Sequence, residues 1–388
     1  MLPSLYCCCR SWFRMVQRGL AGLVCVVLVT SVAYGGAAQD SLPPGVNVEV
    51  GALNGVPYRI DMPANWNGTL IMYYHGYREV PVAFDAKKPD GFGTGLATAG
   101  YAVAQSAYSV TGWAVERAIP ETEALRQYTI AHYGAPKETY VTGHSMGGHL
   151  TIATIENYPN RYDGALPLCG LLEPASYAAG RMGGLIAAFH YYYPDLLPGP
   201  IDIPASTALD DALAKKVQSA LSSNPTGHAE MMALGHFKTD EDLAGVITFY
   251  TYILRDYAQK IGGQVLDNAN EIYAGGPDDD ALNLHIKRYT ASPETLAYLR
   301  TWYTPSGILS KPTLAVHTTY DQIIPADSIA LYSDAVQRAG SSANFVQQLV
   351  AHDGHCAISG PETMAALGEL IRWKRTGVRP KAGPLTVN

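Results

Sequence analysis

The amino-acid sequence predicts an α/β fold in which a mostly parallel sheet is flanked by helices. Short apolar runs typical of buried strands alternate with segments of helical periodicity in residues 69–169 and again in residues 312–375. The intervening residues 171–305 have few strand signals and several helical stretches, which indicates a mainly helical insertion between two core strands. The chain has 388 residues, 47% hydrophobic and 16% charged, a composition that suits a large globular core.

The first alternating region predicts four strands and two helices. The first helix is indicated by Pro120 at its start, apolar residues at helical spacing and Gly134 at its end, and the second helix is stopped by Pro159. The predicted strands are GTLIMYYHGY (68–77), GYAVAQSAY (100–108), ETYVTGHS (138–145) and YDGALPLCG (162–170). The predicted helices are PETEALRQYTIAHYG (120–134) and GGHLTIATIENYP (147–159).

The second alternating region predicts two strands and two helices before a short tail. The strands are KPTLAVHTTYD (311–321) and ANFVQQLV (343–350), and the helices are ADSIALYSDAVQRAG (326–340) and PETMAALGELIRWKR (361–375). The tail after Thr376 is polar and contains proline, so we expect a poorly ordered end.

The N-terminal residues 1–38 are predicted to be a secretory signal peptide. The apolar segment Leu20–Val32 follows three arginines and precedes small residues, and Gly36 and Ala38 suit positions −3 and −1 of a cleavage site. We expect a secreted or periplasmic protein without a stable membrane span in its mature chain; an uncleaved membrane anchor is the alternative. The predicted domains are the signal peptide (1–38), a core (39–170 and 306–388) and a lid insertion (171–305).

Charge and residue spacing argue against several classes of partner. The net charge is −7 and there is no block of lysine or arginine, so nucleic acid is not an expected partner. The segment GHAEMMALGH (227–236) lacks the H-E-x-x-H spacing of a zinc site, and the acidic residues 278–280 are expected to form a solvated loop. We predict no metal and no cofactor, and the sequence leaves the oligomeric state open.

The stretch YVTGHSMGGHL (140–150) carries a serine between two glycines in the pattern G-x-S-x-G. The pattern alone is weak, but here it follows a predicted strand and precedes a predicted helix. Gly143 and Gly147 would allow a strained strand-to-helix turn that exposes Ser145 at the end of the sheet. This context predicts Ser145 as a nucleophile; a small-residue loop without chemistry is the alternative.

A serine hydroxyl is a poor nucleophile until a neighbouring base takes its proton. The last strand–helix junction, AHDGHCAISGPE (351–362), holds His352 and His355. We predict His355 as the base, because it follows a glycine and lies closer to the final helix. His352 is expected to be a loop histidine that hydrogen-bonds to the backbone.

A carboxylate should orient the imidazole and stabilise its charged form. Asp321 comes just after the apolar run of LAVHTTYDQIIP (314–325), at the end of the strand before the histidine, and we predict it as the acid. Glu173, after an earlier strand, is the alternative acid, and Asp353 is too near His355 in sequence to reach its far ring nitrogen. A helix-capping role is the alternative for Asp321.

An oxyanion site requires backbone N–H groups near the nucleophile. The residue after the serine, Met146, is expected to provide one amide. The turn His75–Gly76, which follows the early strand, is expected to provide the other through Tyr77 or Gly76.

These motifs, in this order, resemble those of the α/β-hydrolase superfamily, in particular its secreted serine esterases. His75–Gly76, Gly143–Gly147, Asp321 and His355 match the family's oxyanion turn, nucleophile elbow, acid and base. The stretches YVTGHSMGGH and GHC also resemble feruloyl-esterase-like and prolyl-oligopeptidase-like members. The resemblance covers the two alternating regions and implies the α/β-hydrolase fold, with the helical insertion as a generic lid.

In the sheet order that this resemblance implies, Cys169 and Cys356 would lie at the same edge of the sheet. Cys169 ends the strand after the nucleophile strand, and Cys356 directly follows the predicted base. The other four of the six cysteines fall in the predicted signal peptide. We therefore predict a Cys169–Cys356 disulfide, which suits an oxidising compartment; two buried free thiols are the alternative.

The predicted function is hydrolysis of carboxylic esters, of small molecules or polymers, through an acyl-enzyme on Ser145. Aromatic residues of the lid predict an apolar or aromatic substrate group; they are Tyr191, Tyr192, Tyr193 and Phe249. A secreted serine peptidase or aminopeptidase on the same fold is one alternative. A non-catalytic binding protein with a hydrolase fold is the other.

Overall fold

A nine-stranded sheet forms the centre of the protein in the computed structural model, which describes residues 41–387. The predicted signal peptide lies outside the described residues. The strands are β1 (Val46–Leu53), β2 (Val56–Pro63), β3 (Thr69–Tyr74), β4 (Ala102–Ser106), β5 (Glu138–His144), β6 (Gly164–Leu168), β7 (Thr313–Tyr320), β8 (Phe345–Asp353) and β9 (Gly383–Pro384). They lie in the order β1-β2-β4-β3-β5-β6-β7-β8-β9. β2 is antiparallel to β1 and β4, and all other neighbours are parallel.

Helices cover both faces of this sheet. They are α1 (Gly93–Thr98), α2 (Val115–Tyr133), α3 (Met146–Asn157), α4 (Ala175–Tyr192), α5 (Asp211–Ala220), α6 (Pro225–Leu234), α7 (Asp240–Ile261), α8 (Asp279–His285), α9 (Pro293–Thr301), α10 (Asp327–Arg338) and α11 (Gly360–Thr376). Helices α2, α3 and α10 contribute apolar residues to one core cluster, and α1 and α11 contribute to a second. The predicted α/β fold with a mostly parallel, helix-flanked sheet is therefore confirmed.

β1 and β2 form a hairpin that was not predicted from the sequence. Its two-residue loop is Asn54–Gly55, and both residues have positive φ, 52° and 83°. An Asn-Gly pair suits such a loop, because both central positions of the favoured turn require positive φ. The Asn-Gly signal between two alternating apolar segments would have sufficed to predict the hairpin.

One helix begins earlier than predicted. α2 begins at Val115 rather than at Pro120, so the proline lies inside the helix. Val115 and Ala118 are buried, and this apolar packing extends the helix toward its N-terminus. The expectation of a poorly ordered tail is also wrong for the described residues, because β9 pairs with β8 at the sheet edge.

The segment between β6 and β7 folds into six α-helices, α4 to α9, and contains no strand. The long helix α7 begins with a side-chain cap from Thr239 and ends at Gly262, which has a φ of 76°. α4 and α5 pack against α7. Within residues 41–387, no helix has the length and apolarity that crossing a membrane would require.

Candidate active site

Ser145 lies on the sharp turn between β5 and α3, at the carboxyl edge of the parallel strands. Its φ of 59° and ψ of −122° are strained for a residue with a side chain. A Cβ atom at Gly143 would lie 2.5 Å from the Gly147 carbonyl oxygen, and one at Gly147 would lie 2.1 Å from the Tyr74 carbonyl oxygen. Both contacts are too short for a real side chain, so the two glycines are required for the turn that presents Ser145.

A chain of hydrogen bonds connects Ser145 to two residues from other loops. The His355 Nε2 atom lies 2.9 Å from Ser145 Oγ, and the His355 Nδ1 atom lies 2.7 Å from Asp321 Oδ2. Asp321 directly follows β7, and His355 lies between β8 and α11. Because β5, β7 and β8 are parallel, their carboxyl ends bring the three side chains to one edge of the sheet.

The Asp321 carboxylate is buried, and both of its oxygens have hydrogen-bond partners. Its Oδ1 atom accepts the amides of Ile323 and Ile324 at 2.9 and 2.8 Å, which leaves Oδ2 for His355. Burial alone would raise the pKa of the Asp321 carboxyl, but the charge and hydrogen bond of His355 hold it below its ordinary value. A second imidazole, His317, is also buried, with Nε2 3.8 Å from Asp321 Oδ2. This environment keeps Asp321 ionised.

Glu173, the alternative acid, has a different partner. It is buried and forms an ion pair with Arg181 of α4 at 2.7 Å. Arg181 also donates to the Tyr250 hydroxyl of α7 at 2.9 Å, and Tyr250 donates to the Ile323 carbonyl at 2.5 Å. The lid segment therefore contacts the loop that carries Asp321 through Tyr250. No local sequence motif predicts the contacts of Tyr250 or Arg181, because these contacts depend on tertiary packing.

His352 and Asp353 also lie outside the hydrogen-bond chain. His352 hydrogen-bonds to the Glu362 carboxylate at 2.9 Å, so the expectation of a backbone partner is wrong. Glu362 is held there by its capping box with Ser359 at the start of α11. The exposed Asp353 forms an ion pair with Lys238 at 2.7 Å.

The turn His75–Gly76 passes directly beside Ser145. A Cβ atom at Gly76 would lie 3.2 Å from the Ser145 Cβ atom. Burial lowers the pKa of His75 to about 4, so the ring is neutral at neutral pH. Its Nδ1–H donates to the Gly76 carbonyl at 2.7 Å. This hydrogen bond orients the main chain of the turn next to Ser145, and Met146 opens α3 on the other side.

A cavity of about 770 Å³ opens over Ser145 and His355. One wall is aromatic: the rings of Tyr73 and Phe92 are stacked with centroids 4.1 Å apart. The Tyr73 hydroxyl is 3.2 Å from His144 Nδ1. Burial and the neighbouring His355 lower the pKa of His144 to about 4, so a neutral imidazole stands beside the serine. Phe249 of the lid lines the cavity.

The three consecutive lid tyrosines do not line this cavity, and their prediction as substrate-binding residues is wrong. The Tyr192 hydroxyl donates to Asp278 at 2.9 Å, and the Tyr193 hydroxyl donates to the Leu221 carbonyl at 3.1 Å. Tyr191 packs edge-on against Tyr192, with ring centroids 4.8 Å apart. These tyrosines hold the lid helices together, because the helical turn directs them into the packing of the lid itself.

A disulfide joins Cys169 and Cys356, as predicted. Cys169 follows β6 and is fully buried, and Cys356 is also buried. The Cys356 Sγ atom lies 3.5 Å from His355 Nε2. The bridge therefore ties the loop that carries His355 to the end of β6.

Metal-ligating side chains are not grouped at this site or elsewhere in the described chain. Between residues 41 and 387, no group of three or more His, Cys, Asp or Glu side chains could hold a metal ion. In the acidic segment 278–280, Asp279 accepts the amides of Gly275 and Gly276, both at 2.9 Å, and begins α8. The Asp278 amide also donates to the Glu230 carboxylate at 2.7 Å, so hydrogen bonds to neighbouring residues order this segment.

Two buried histidines near the site predict a dependence of stability on pH. Burial lowers the pKa of both His75 and His149 to about 4, below the value of about 6.5 expected in the unfolded chain. Between these values the unfolded chain binds more protons than the folded one. The free energy of unfolding should therefore fall as the pH drops from about 6.5 to 4, by up to about 1.4 kcal/mol per pH unit for each histidine.

The variant His149→Gln tests this prediction by chemical denaturation between pH 4 and 7. Removing the buried imidazole should reduce the slope of unfolding free energy against pH by about one proton. His236 is exposed and serves as the matched control, since His236→Asn should leave the slope unchanged. An identical slope for His149→Gln and the parent protein would contradict the prediction.

Comparison with known proteins gives distant similarities. No protein-family model matches the chain. A curated relative, an o-phthalyl amidase from Xanthobacter agilis, is 24% identical, and the match covers 88% of this chain and 90% of the relative.

Solved structures are similar at low identity. Feruloyl esterase B from Aspergillus oryzae is 14% identical with a TM-score of 0.45, and the match covers 85% of this chain and 80% of that one. Candida antarctica lipase A is 14% identical with a TM-score of 0.47, covering 86% and 77%. The acylaminoacyl peptidase of Pyrococcus horikoshii is 10% identical with a TM-score of 0.41; the match covers 84% of this chain but only 39% of the peptidase.

The fold assignment rests on the molecule's own features. The order of the first eight strands, the antiparallel β2 and the strand–serine–helix turn after β5 are those of one fold class. Helices on both faces and a helical insertion after β6 complete the pattern. The chain therefore has the α/β-hydrolase fold.

Proposed function

We propose that this protein is a serine hydrolase that cleaves carboxylic esters through an acyl-enzyme. The observation that carries the proposal is the unbroken chain of hydrogen bonds from Ser145 Oγ through His355 to the buried Asp321 carboxylate. It ends on a serine at a strained turn, inside a cavity large enough for a small substrate.

In the proposed mechanism, Ser145 Oγ attacks the ester carbonyl carbon while its proton passes to His355 Nε2. The tetrahedral intermediate collapses, the bond to the leaving alcohol breaks, and His355 returns the proton to the alcohol oxygen. Water then attacks the acyl-enzyme, His355 takes a proton from it, and the acid leaves as Ser145 is regenerated. Asp321 holds the imidazole in the tautomer that accepts at Nε2 and stabilises its charged form.

The negative charge of the intermediate would be held by backbone amides. Met146 begins α3 directly after the serine, so the positive end of this helix also faces the oxyanion. Tyr77 or Gly76 would supply the second amide from the turn beside Ser145, which the His75 hydrogen bond orients. Such fixed donors act without reorganisation when charge develops.

The cavity favours an aromatic or apolar substrate group. Tyr73 and Phe92 form a stacked wall, and Tyr77 and Phe249 meet edge to face with ring centroids 5.7 Å apart. Aromatic surfaces of this kind bind flat apolar groups. Export from the cytoplasm belongs to the same proposal, because the Cys169–Cys356 disulfide suits an oxidising compartment.

Amide hydrolysis is the second candidate. The curated relative that matches along most of the chain is named an o-phthalyl amidase, and a serine with a histidine base can cleave esters or amides. Peptide bonds are included in this candidate. The two candidates differ in the leaving group rather than in the nucleophile, so one set of substrates can separate them.

Paired substrates with a common acyl group provide the test. We expect 4-nitrophenyl benzoate to be hydrolysed with a kcat/KM at least 100-fold above that for benzoyl 4-nitroanilide, with both activities absent from Ser145→Ala. Aminoacyl 4-nitroanilides extend the comparison to aminopeptidase substrates. Anilide cleavage as fast as ester cleavage would assign the protein as an amidase. A protein that cleaves neither and does not react with a fluorophosphonate would be a binding protein.

A further inference from the structure

Charged side chains share the cavity with its aromatic walls. Those that line it are Arg59, Asp85, Lys88 and Asp90 at one end, and Arg78. Arg59 is buried and donates to both carboxylate oxygens of Asp61 at 2.7 and 2.8 Å. Its remaining donors reach the main-chain carbonyls of Asp85 and Lys88 at 2.8 and 2.9 Å and the Thr94 hydroxyl at 3.1 Å. Arg59 is thus a structural cation with no donor left for a substrate.

The two cavity carboxylates belong to the same end as Arg59. Asp90 accepts a hydrogen bond from the Gln105 side chain and another from the Gly93 amide. Burial alone would lower the pKa of Arg59, but Asp61, with the charges of Asp90 and Asp85, holds it above its ordinary value. The negative charges of Asp85 and Asp90 are therefore close enough to Arg59 to stabilise its charged form. Lys88 also lines the cavity and is exposed to solvent.

Arg78 stands apart from these acids. It is half-buried, follows Tyr77 directly, and none of the ion pairs or side-chain hydrogen bonds within residues 41–387 involves its guanidinium. Its charge acts on the oxyanion turn: burial lowers the pKa of His75, and the nearby positive charge of Arg78 lowers it further. Arg78 is thus a cation without a carboxylate partner at the serine end of the cavity.

An unpaired arginine in an aromatic cavity suits one kind of ligand group. The guanidinium presents a planar fork of N–H donors that matches the two oxygens of a carboxylate. A half-buried cation also interacts more strongly with an anion than an exposed one does, because less water screens the pair.

We propose that Arg78 binds a carboxylate carried by the substrate, so that the preferred substrates are half-esters of dicarboxylic acids or other esters with one free carboxylate. This inference rests on the proposed function. Gly76 and Arg78 are two residues apart, so their Cα atoms are at most about 7 Å apart. The arginine side chain extends from there, which places the carboxylate several bonds from the carbonyl that Ser145 attacks.

The test compares a charged ester with a neutral ester of similar length. 4-Nitrophenyl hydrogen glutarate carries a carboxylate on its acyl chain, and 4-nitrophenyl valerate does not. The parent protein should prefer the glutarate ester in kcat/KM. Arg78→Met should reduce this preference at least 10-fold, mainly by raising KM for the charged ester. Added salt should reduce the preference of the parent protein.

Two control variants separate charge from packing. Arg78→Lys keeps a cation without the planar fork and should retain part of the preference. Lys88→Met removes an exposed cation that also lines the cavity and should change the preference less than threefold. A parent protein that prefers valerate, or an Arg78→Met protein with an unchanged preference, would overturn the assignment of Arg78.

A binding experiment keeps this inference separate from the proposed function. The Ser145→Ala protein is titrated with benzoate and with benzamide, its neutral counterpart, and the heat of binding is recorded. Benzoate should bind more tightly than benzamide, and Arg78→Met should remove the difference. Loss of the difference in ester rates but not in binding, or the reverse, would also contradict the inference. Failure of the valerate ester to react in the parent protein bears on the proposed function alone.

Discussion

Replacing Ser145 by alanine is expected to lower kcat for ester hydrolysis by about 10⁶-fold. The variant lacks the oxygen that would form the acyl-enzyme, whereas the proposed oxyanion amides and the cavity stay in place. Alanine has the same Cβ atom as serine, so the strained φ of 59° at this position is no harder to adopt. The measurement is the steady-state rate on 4-nitrophenyl benzoate, with thermal unfolding to verify that the fold is kept.

Covalent labelling checks the same prediction independently of turnover. A fluorophosphonate should label the parent protein on a peptide that contains Ser145, and it should not label Ser145→Ala. Ser223 is an exposed serine whose hydroxyl donates to the Ala220 carbonyl, and Ser223→Ala should react like the parent protein. Labelling of the Ser145→Ala protein at unchanged stoichiometry would contradict the proposed nucleophile.

Asparagine at position 321 is expected to lower kcat by about 10⁴-fold without unfolding the protein. The amides of Ile323 and Ile324 would continue to bond the side-chain oxygen at the Oδ1 position. The new NH₂ group would then occupy the Oδ2 position and donate to His355 Nδ1. The ring would be forced to carry its proton on Nε2, where it could no longer accept the Ser145 proton. Kinetics on the same ester, with circular dichroism for the fold, measures the effect.

Two further variants show whether this effect is specific to Asp321. Asp353→Asn changes an exposed acid two residues before His355 and should leave kcat within threefold. Glu173→Gln weakens a buried ion pair with Arg181, so it should lower stability more than it lowers kcat. A larger loss of kcat in Glu173→Gln than in Asp321→Asn would reassign the acid.

The candidate site was open to prediction because its residues sit at strand ends. Ser145, Asp321 and His355 each follow a strongly apolar run, and parallel strands bring such positions to one edge whatever the loops do. The alternatives for the acid and the base differ from the predicted residues only in their tertiary contacts. Glu173 and His352 are also near strand ends, and only their contacts with Arg181 and Glu362 distinguish them from the chosen residues.

The lid was predictable as helical but not in its contacts. Aromatic residues at helical spacing give the same pattern whether they face a cavity or the next helix. Tyr192 and Phe249 illustrate the limit: the first hydrogen-bonds inside the lid, and the second lines the cavity. Tyr250 contacts the acid loop through a single hydroxyl, a contact that depends on how α7 lies over the sheet. Whether a lid aromatic faces the cavity or another helix depends on tertiary packing, and the sequence periodicity is the same in both cases.

The disulfide has a topological consequence for the lid. Cys169 precedes the lid helices α4 to α9 in the chain, and Cys356 follows them, so the whole lid lies within the covalent ring that the bridge closes. A protease that cuts one lid loop opens this ring without releasing a fragment. The halves of the candidate site, Ser145 before the cut and His355 after it, stay covalently joined in the clipped chain. The enclosed lid can therefore be cut and rearranged while Ser145 and His355 remain parts of one molecule.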